Sequence, residues 1–378
     1  MKRLGWILLL LAVSAPAWAA AKITVEQLRD KLIALQQGYK SDEEVAARLK
    51  EVELSEQLTR HAKSSLMQYT RGEQTSEQLD ILEGRSAFLA PPASEIPAIP
   101  APDPAAQKAI LAKAADYAAS TFLQNPHLVA SRTFSRFQDN VTNMSNAPVL
   151  KVDSPNTYAR LWEARTEAVE SEKGTEKAGP SAAKTKWGEN GLISDGALGP
   201  NPATVLQEAT SAGKLSWLRW ETIDGRPVAV FSFAVDKKKT HYEVSYCCFP
   251  QTDTATGVAA SGTFVPVPGE IQSVTTWKYF KKTVGYHGEL FIEPEKGALV
   301  RIHTSAELKP TDYVHTEEKR IDYEIVVVNG KEYAAPVASY LINEVVPGGD
   351  AGTAAYSVRH TLYSVTYQNY QMAGGSMK

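Results

Sequence analysis

Cysteine is almost absent from this chain: there are two in 378 residues, Cys247 and Cys248, side by side. Neighbouring cysteines cannot staple distant parts of a fold. Their options are a vicinal disulfide, a bond to a second chain, or two thiols on opposite faces of a strand. No partner at ligand spacing accompanies them, so no metal centre is expected. Long apolar runs are missing after residue 19, which excludes a spanning helix there and argues against an integral membrane protein. An excess of positive charge is missing as well. The formal charge is −3, and losing Lys2 and Arg3 would make it −5, so neither nucleic acid nor an anionic surface is an expected partner.

Catalytic signatures are equally scarce. The chain has no Gly-x-Ser-x-Gly elbow, no His-Glu-x-x-His pair and no Asp-rich calcium loop. Gly348-Gly349-Asp350-Ala351-Gly352 lacks the lysine of a phosphate loop and reads as a hairpin connection. His287-Gly288-Glu289 has the His-x-Glu form found in zinc deaminases, but no Pro-Cys-x-x-Cys segment follows it. On a strand His287 and Glu289 point the same way and can hydrogen-bond on a solvated face, as can His241 and Glu243. No catalytic residue and no cofactor are therefore expected, and a hydrolase with a dispersed site is the last of the alternatives.

What is present begins with a leader. Lys2 and Arg3 precede the apolar run Ile7 to Val13, and Ala17-Trp18-Ala19 forms a small-residue cleavage site, so residues 1–19 read as a secretory signal. The expected location is periplasmic or extracellular, with the chain soluble after cleavage.

Residues 20–90 carry helical periodicity. Thr24 with Gln27, and Ser41 with Glu44, form capping boxes ahead of apolar stripes, and Gly38 and Gly72 read as helix stops. Residues 91–104 hold six prolines in fourteen residues, a stiff strap or spacer in polyproline II. A further helix is expected over 105–127, starting at Asp103 or Pro104.

From residue 128 the period changes to two, and strands follow one another to residue 372, ahead of a tail over 373–378. Asp224-Gly225 and Asn329-Gly330 mark tight hairpins. The hairpin from Tyr286 to Ile302 reverses at Glu293-Pro294-Glu295-Lys296-Gly297, where Gly297 can take a positive φ. Ten or eleven strands with short connections exceed what a simple open sheet accommodates, so curling or splitting is expected. The expected class is α+β: an N-terminal helical region followed by a large curved antiparallel β-sheet, a half-open barrel.

Glu51-Val52-Glu53-Leu54-Ser55-Glu56-Gln57-Leu58, Ser86-Ala87-Phe88-Leu89-Ala90-Pro91-Pro92, Tyr286-His287-Gly288-Glu289 and Ile321-Asp322-Tyr323 resemble segments of an uncharacterised family of exported bacterial proteins. More distantly, Gly288-Glu289-Leu290-Phe291-Ile292-Glu293-Pro294 through Ile302 is similar to the outer-membrane lipoprotein-carrier and lipoprotein-sorting proteins, a LolA-like half-barrel. That resemblance implies a concave face that binds acyl chains without catalysis. The corresponding lining here is Trp217, Phe231, Phe233, Tyr242, Val244, Leu290, Ile292 and Tyr323. The expected function is binding of an apolar or lipid-like ligand, and the alternative is an interaction module for another protein of the cell envelope.

Overall fold

The computed structural model describes residues 22–122, 124–138, 159–160, 165–172, 175–177, 193–194, 201–212, 214–251, 276–345 and 359–373. Within those ranges, the side chains of 159–194, 212, 247–251, 276–279 and 359 lie outside the description. The expected leader and tail, the Gly348–Gly352 loop and the side chains of Cys247 and Cys248 fall outside it too.

Four helices open the described chain: α1 (Val25–Gln37), α2 (Asp42–Lys50), α3 (Arg60–Leu66) and α4 (Glu73–Ser86). Both capping boxes form as expected, with Thr24 Oγ1 accepting from the Gln27 amide and Ser41 Oγ from the Glu44 amide. Gly72 was expected to stop a helix; instead it opens α4. The reason is steric: a Cβ at Gly72 would stand 2.8 Å from the Asp42 carboxylate, which caps α4 from a distance by accepting from the Gln74 and Thr75 amides. Leu28, Leu32, Val45, Leu49, Leu58, Leu79 and Leu82 close a small core of their own between these helices.

The remaining helices are α5 (Pro104–Tyr117), capped by Asp103 and running on through a π-turn to Phe122, and α6 (Pro202–Ala212). The strands are β1 (Leu128–Gln138), β2 (Ala159–Arg160), β3 (Arg165–Glu172), β4 (Thr175–Lys177), β5 (Ile193–Ser194), β6 (Leu215–Ile223), β7 (Arg226–Val235), β8 (Glu243–Gln251), β9 (Thr276–Thr283), β10 (Tyr286–Ile292), β11 (Leu299–Ala306), β12 (Val314–Val328), β13 (Lys331–Val345) and β14 (Arg359–Met372). β1 is flanked along one edge by β3 at one end and β2 at the other.

One open antiparallel sheet runs in the order β4-β3-β1-β14-β13-β12-β11-β10-β7-β6, with β2 beside β1. The chain's first and last strands are neighbours within it, and β10 pairs with β7 across the β8-β9 excursion. Beside this large sheet, β5, β8 and β9 form a separate three-stranded one. Tyr242, Val244 and Tyr246 are all buried against the large sheet, so β8 serves as a covering layer and cannot also be an in-plane neighbour. Cys247 and Cys248 lie on β8 where its register with β9 shifts between Tyr246 and Phe249.

Strand alternation gives the large sheet two faces. The face bearing Glu289, Arg301 and Asp322 receives the helical region: Ile81 packs on Phe137 and Leu362, and Ala87 on Ala338 and Tyr340. A charge ladder underlies this contact. Arg219 forks onto Glu289 (3.1 and 3.0 Å), Arg301 bonds Asp322 (2.6 Å) and Glu221 (3.3 Å), and Arg320 bonds Asp322 (2.9 Å) and the Ala87 carbonyl (3.2 Å). Glu289 is thus a structural ion-pair partner, and the exposed His287 beside it has no role in the ladder.

The proline strap joins the two faces. It leaves the helical region near Glu95, which bonds Thr59, and passes the free edge of β6, where the Trp220 indole N–H donates to the Pro100 carbonyl at 2.9 Å. It then enters α5 on the opposite face. Proline lacks the N–H needed to extend a sheet, so the strap covers the β6 edge without continuing it.

Candidate functional site

The second face carries six of the eight residues picked out from the sequence, Trp217, Phe231, Phe233, Leu290, Ile292 and Tyr323, while Tyr242 and Val244, expected on the same sheet, face them from the covering layer because β8 belongs to the separate sheet. Register places Trp217 opposite Phe231, Phe231 opposite Leu290, Leu290 opposite Ile302, and Ile302 opposite Ile321, all on one side. Trp217, Phe231, Phe233, Tyr242, Val244, Leu290, Ile292 and Tyr323 meet in one apolar cluster, with only Trp217 partly exposed. Their rings interlock. Trp217 meets Phe231 edge-on at 5.4 Å, Phe233 meets Tyr286 at 5.5 Å, and Tyr242 stacks on Tyr286 at 4.7 Å.

Sequence reasoning placed the lining on one sheet and left its cover open. The structure supplies that cover. Ile110, Ala114, Ala118 and Phe122 descend from α5 and its π-turn, Val205, Leu206 and Ala209 from α6, and β8 completes it. Phe122 reaches Tyr323 edge-on at 5.2 Å. The face is therefore occupied by the chain's own helices, and several of the contacting side chains are alanines.

Two devices hold this cover down. The turn between β10 and β11 lies directly under α5: Gly297 has φ +77°, and a Cβ there would stand 2.5 Å from the Lys113 carbonyl oxygen and 2.6 Å from the Ala114 nitrogen. Only glycine meets both demands. Lys113 Nζ then donates to the Pro294 and Glu295 carbonyls at 3.3 and 3.1 Å. On α6, Glu208 is buried and accepts from the Tyr286 hydroxyl at 2.8 Å, the His241 amide at 3.0 Å and the Thr240 hydroxyl at 3.2 Å. Burial pushes the Glu208 carboxyl up, but the hydrogen bonds from His241, Tyr286 and Thr240 outweigh it and hold the group below its usual value. Burial raises the Tyr286 phenol, which stays a donor.

Farther along the same face the lining turns polar. On β12, Glu317 and Lys319 are in phase with Ile321, and they are 0% and 5% exposed. Lys319 Nζ lies 3.0 Å from Glu317 Oε1, which also accepts from the Tyr242 hydroxyl at 3.1 Å; Thr304 stands 3.3 Å from that hydroxyl. Burial and the neighbouring Glu317 raise the Tyr242 phenol well above its ordinary range. The sequence carried this signal in the spacing of Glu317, Lys319, Ile321 and Tyr323, which puts charge on the buried face.

Among the described residues, no group of three or more His, Cys, Asp or Glu side chains is placed to hold a metal ion. No helix among them is long and apolar enough to cross a membrane. A shallow cleft of about 80 Å³ lies in the helical region between Lys22, Glu53, Leu54, Leu82 and Arg85, remote from the aromatic face. No known protein family, no curated protein and no solved structure matches this chain.

Proposed function

We propose that this protein is an exported, non-catalytic binder that shelters an apolar or lipid-like ligand on the aromatic face, under α5 and α6. The observation that supports the reading is the convergence of six of the eight side chains with Tyr242 and Val244 opposite them, beneath helices whose seven contacting residues include three alanines. Alanine buries little apolar surface per residue, so lifting such a cover exposes less than lifting one faced with leucine or phenylalanine. The ligand would take the place of α5, α6 or both, against Phe231, Leu290 and Ile292. Titrating the full chain with a fluorescent long-chain acyl probe tests this. Saturable binding that a Leu290→Asp change abolishes is expected. No binding, together with no apolar molecule extracted from protein purified out of its native envelope, would overturn it.

The second reading is an interaction module for another envelope protein. It is favoured by the projecting end of β12, where Ile325 and Val327 are 49% and 68% exposed. Crosslinking in intact cells separates the two: a partner captured by the wild type and lost with Ile325→Lys and Val327→Lys would favour the module.

A further inference from the structure

Asn343 is the feature that neither the packing nor the ion pairs account for. It is 0% exposed on β13, and neither Oδ1 nor Nδ2 has a hydrogen-bond partner among the described residues. Its neighbours across the sheet are Glu317 on β12 and Thr361 on β14, both also fully buried. Glu317 repeats the pattern: Oε1 is bonded twice, while Oε2 has no partner and no exposure. A buried polar atom without a partner is costly, more so when charged. Three such atoms on adjacent residues of one face form a set of donors and acceptors that a polar group could satisfy together.

We propose that these atoms receive the head of the ligand, and that the ligand is an amphiphile with a neutral, hydroxyl-bearing head. The inference rests on the ligand-binding reading above and narrows it. Two orphan acceptors, Asn343 Oδ1 and Glu317 Oε2, call for donors, and the Asn343 amide calls for one acceptor. A hydroxylated head offers both. A carboxylate or phosphate head would set its own charge against Glu317, which already holds Lys319.

The apolar tail has a path. From the polar end at Glu317 and Lys319 the same face reaches Ile321 and runs across the sheet through Ile302, Leu290 and Phe231 to Trp217, four strand spacings of about 4.8 Å each and so roughly 19 Å. One leaflet of a bilayer's hydrocarbon is about 15 Å thick, so a single acyl tail fits between the polar end and Trp217. In this arrangement Tyr242, stacked on Tyr286 and bonded to Glu317, stands at the boundary between head and tail.

The test compares two probes on the full chain, a long-chain monoacylglycerol and the methyl ester of the same fatty acid, by calorimetry or displacement of a fluorescent acyl probe. The wild type is expected to prefer the monoacylglycerol about tenfold or more, as one hydrogen bond to a charged acceptor warrants. Asn343→Leu, which removes the orphan amide at similar size, is expected to reduce that preference severalfold while keeping ester binding and the melting temperature. Equal affinity of the wild type for both probes would overturn the head site and leave the apolar site standing; the orphan atoms would then be met by water alone. Binding of neither probe would remove both readings. The wild-type comparison decides the matter even where the variant does not fold.

Discussion

Replacing Gly297 with alanine sets the new methyl group against the backbone of α5. Two costs are then incurred. The first is conformational: φ is +77°, in the left-handed region, where a Cβ costs about 1–2 kcal/mol. The second is contact. The Cβ would meet the Lys113 carbonyl oxygen at 2.5 Å, so the helix must retreat by about 1 Å to reach ordinary packing, drawing Ala114 off the core. Forced overpacking of that kind costs about 1–3 kcal/mol, giving a total of about 2–5 kcal/mol. The chain provides its own controls, because Gly225 and Gly330 share φ +76° and a Cβ at either would meet nothing within 4 Å. Gly225→Ala and Gly330→Ala therefore incur the conformational cost alone. Urea midpoints at unchanged m-value measure all three variants. Hydrogen exchange should show faster opening of α5 in Gly297→Ala only. If Gly297→Ala costs no more than the controls, α5 does not rest on the β10-β11 turn, and the account of a pinned cover fails.

Three further changes probe the charged groups. Glu208→Ala leaves the Tyr286 and Thr240 hydroxyls and the His241 amide without their acceptor, so a loss of about 3 kcal/mol and faster exchange across Pro202–Ala212 are expected; unchanged exchange there would refute the pin. Burial alone would raise the Asp322 carboxyl, but Arg301 and Arg320 outweigh it and hold it well below the usual range. Its contribution is thus complete above the unfolded value near 4 and is lost as pH falls below it. Asp322→Asn should cost about 3–5 kcal/mol at pH 7 and progressively less in acid, by denaturant midpoints at several pH values. Burial pushes His303, packed 4.9 Å from the Phe88 ring, down to about 4 against the attraction of Glu289. The native state then binds fewer protons than the unfolded chain between about pH 4 and 6.5, so stability falls as pH falls through that window. His303→Gln should flatten the drop between pH 7 and 5, and an unchanged slope would show that His303 does not report it.

Local signals account for most of what was legible. Capping boxes at Thr24 and Ser41, Pro104 behind Asp103, and the tight turns at Asp224-Gly225 and Asn329-Gly330 depend on residues three or four apart, and all form. Period-two alternation placed Trp217, Phe231, Phe233, Leu290, Ile292 and Tyr323 on one face, since strand geometry forces that outcome once the strands exist, while Tyr242 and Val244 came to face them from the opposing layer. The layers were not legible. Nothing local in His241 to Tyr246 tells whether its buried tyrosines face a neighbouring strand or an opposing sheet, and the structure uses them for the latter. Gly72 failed for a related reason: a glycine at a helix boundary suits either end, and Asp42, thirty residues earlier, decided which. The cover was hidden because α5 carries a weak stripe, with only Ile110 and Ala114 buried over fourteen residues.

That weakness distinguishes the two faces. The helical region meets its face over buried ion pairs of the sheet, and breaking one partner of such a pair strands the other charge in the protein interior. Arg320 alone joins Asp322 to the Ala87 carbonyl, and Arg60 adds Glu324 from α3. The cover has one buried carboxylate, a lysine on two carbonyls and seven apolar side chains, three of them alanines. The strap bonded to Trp220 tethers α5 at the β6 edge. A tether that rounds the β6 edge restricts how far α5 can travel, so the cover would open from the α6 side, over Tyr286 and toward the polar end at Glu317. On the proposed ligand-binding reading the pin at Glu208 stands at the entrance, and loosening it should speed exchange of a bound acyl probe before it alters affinity.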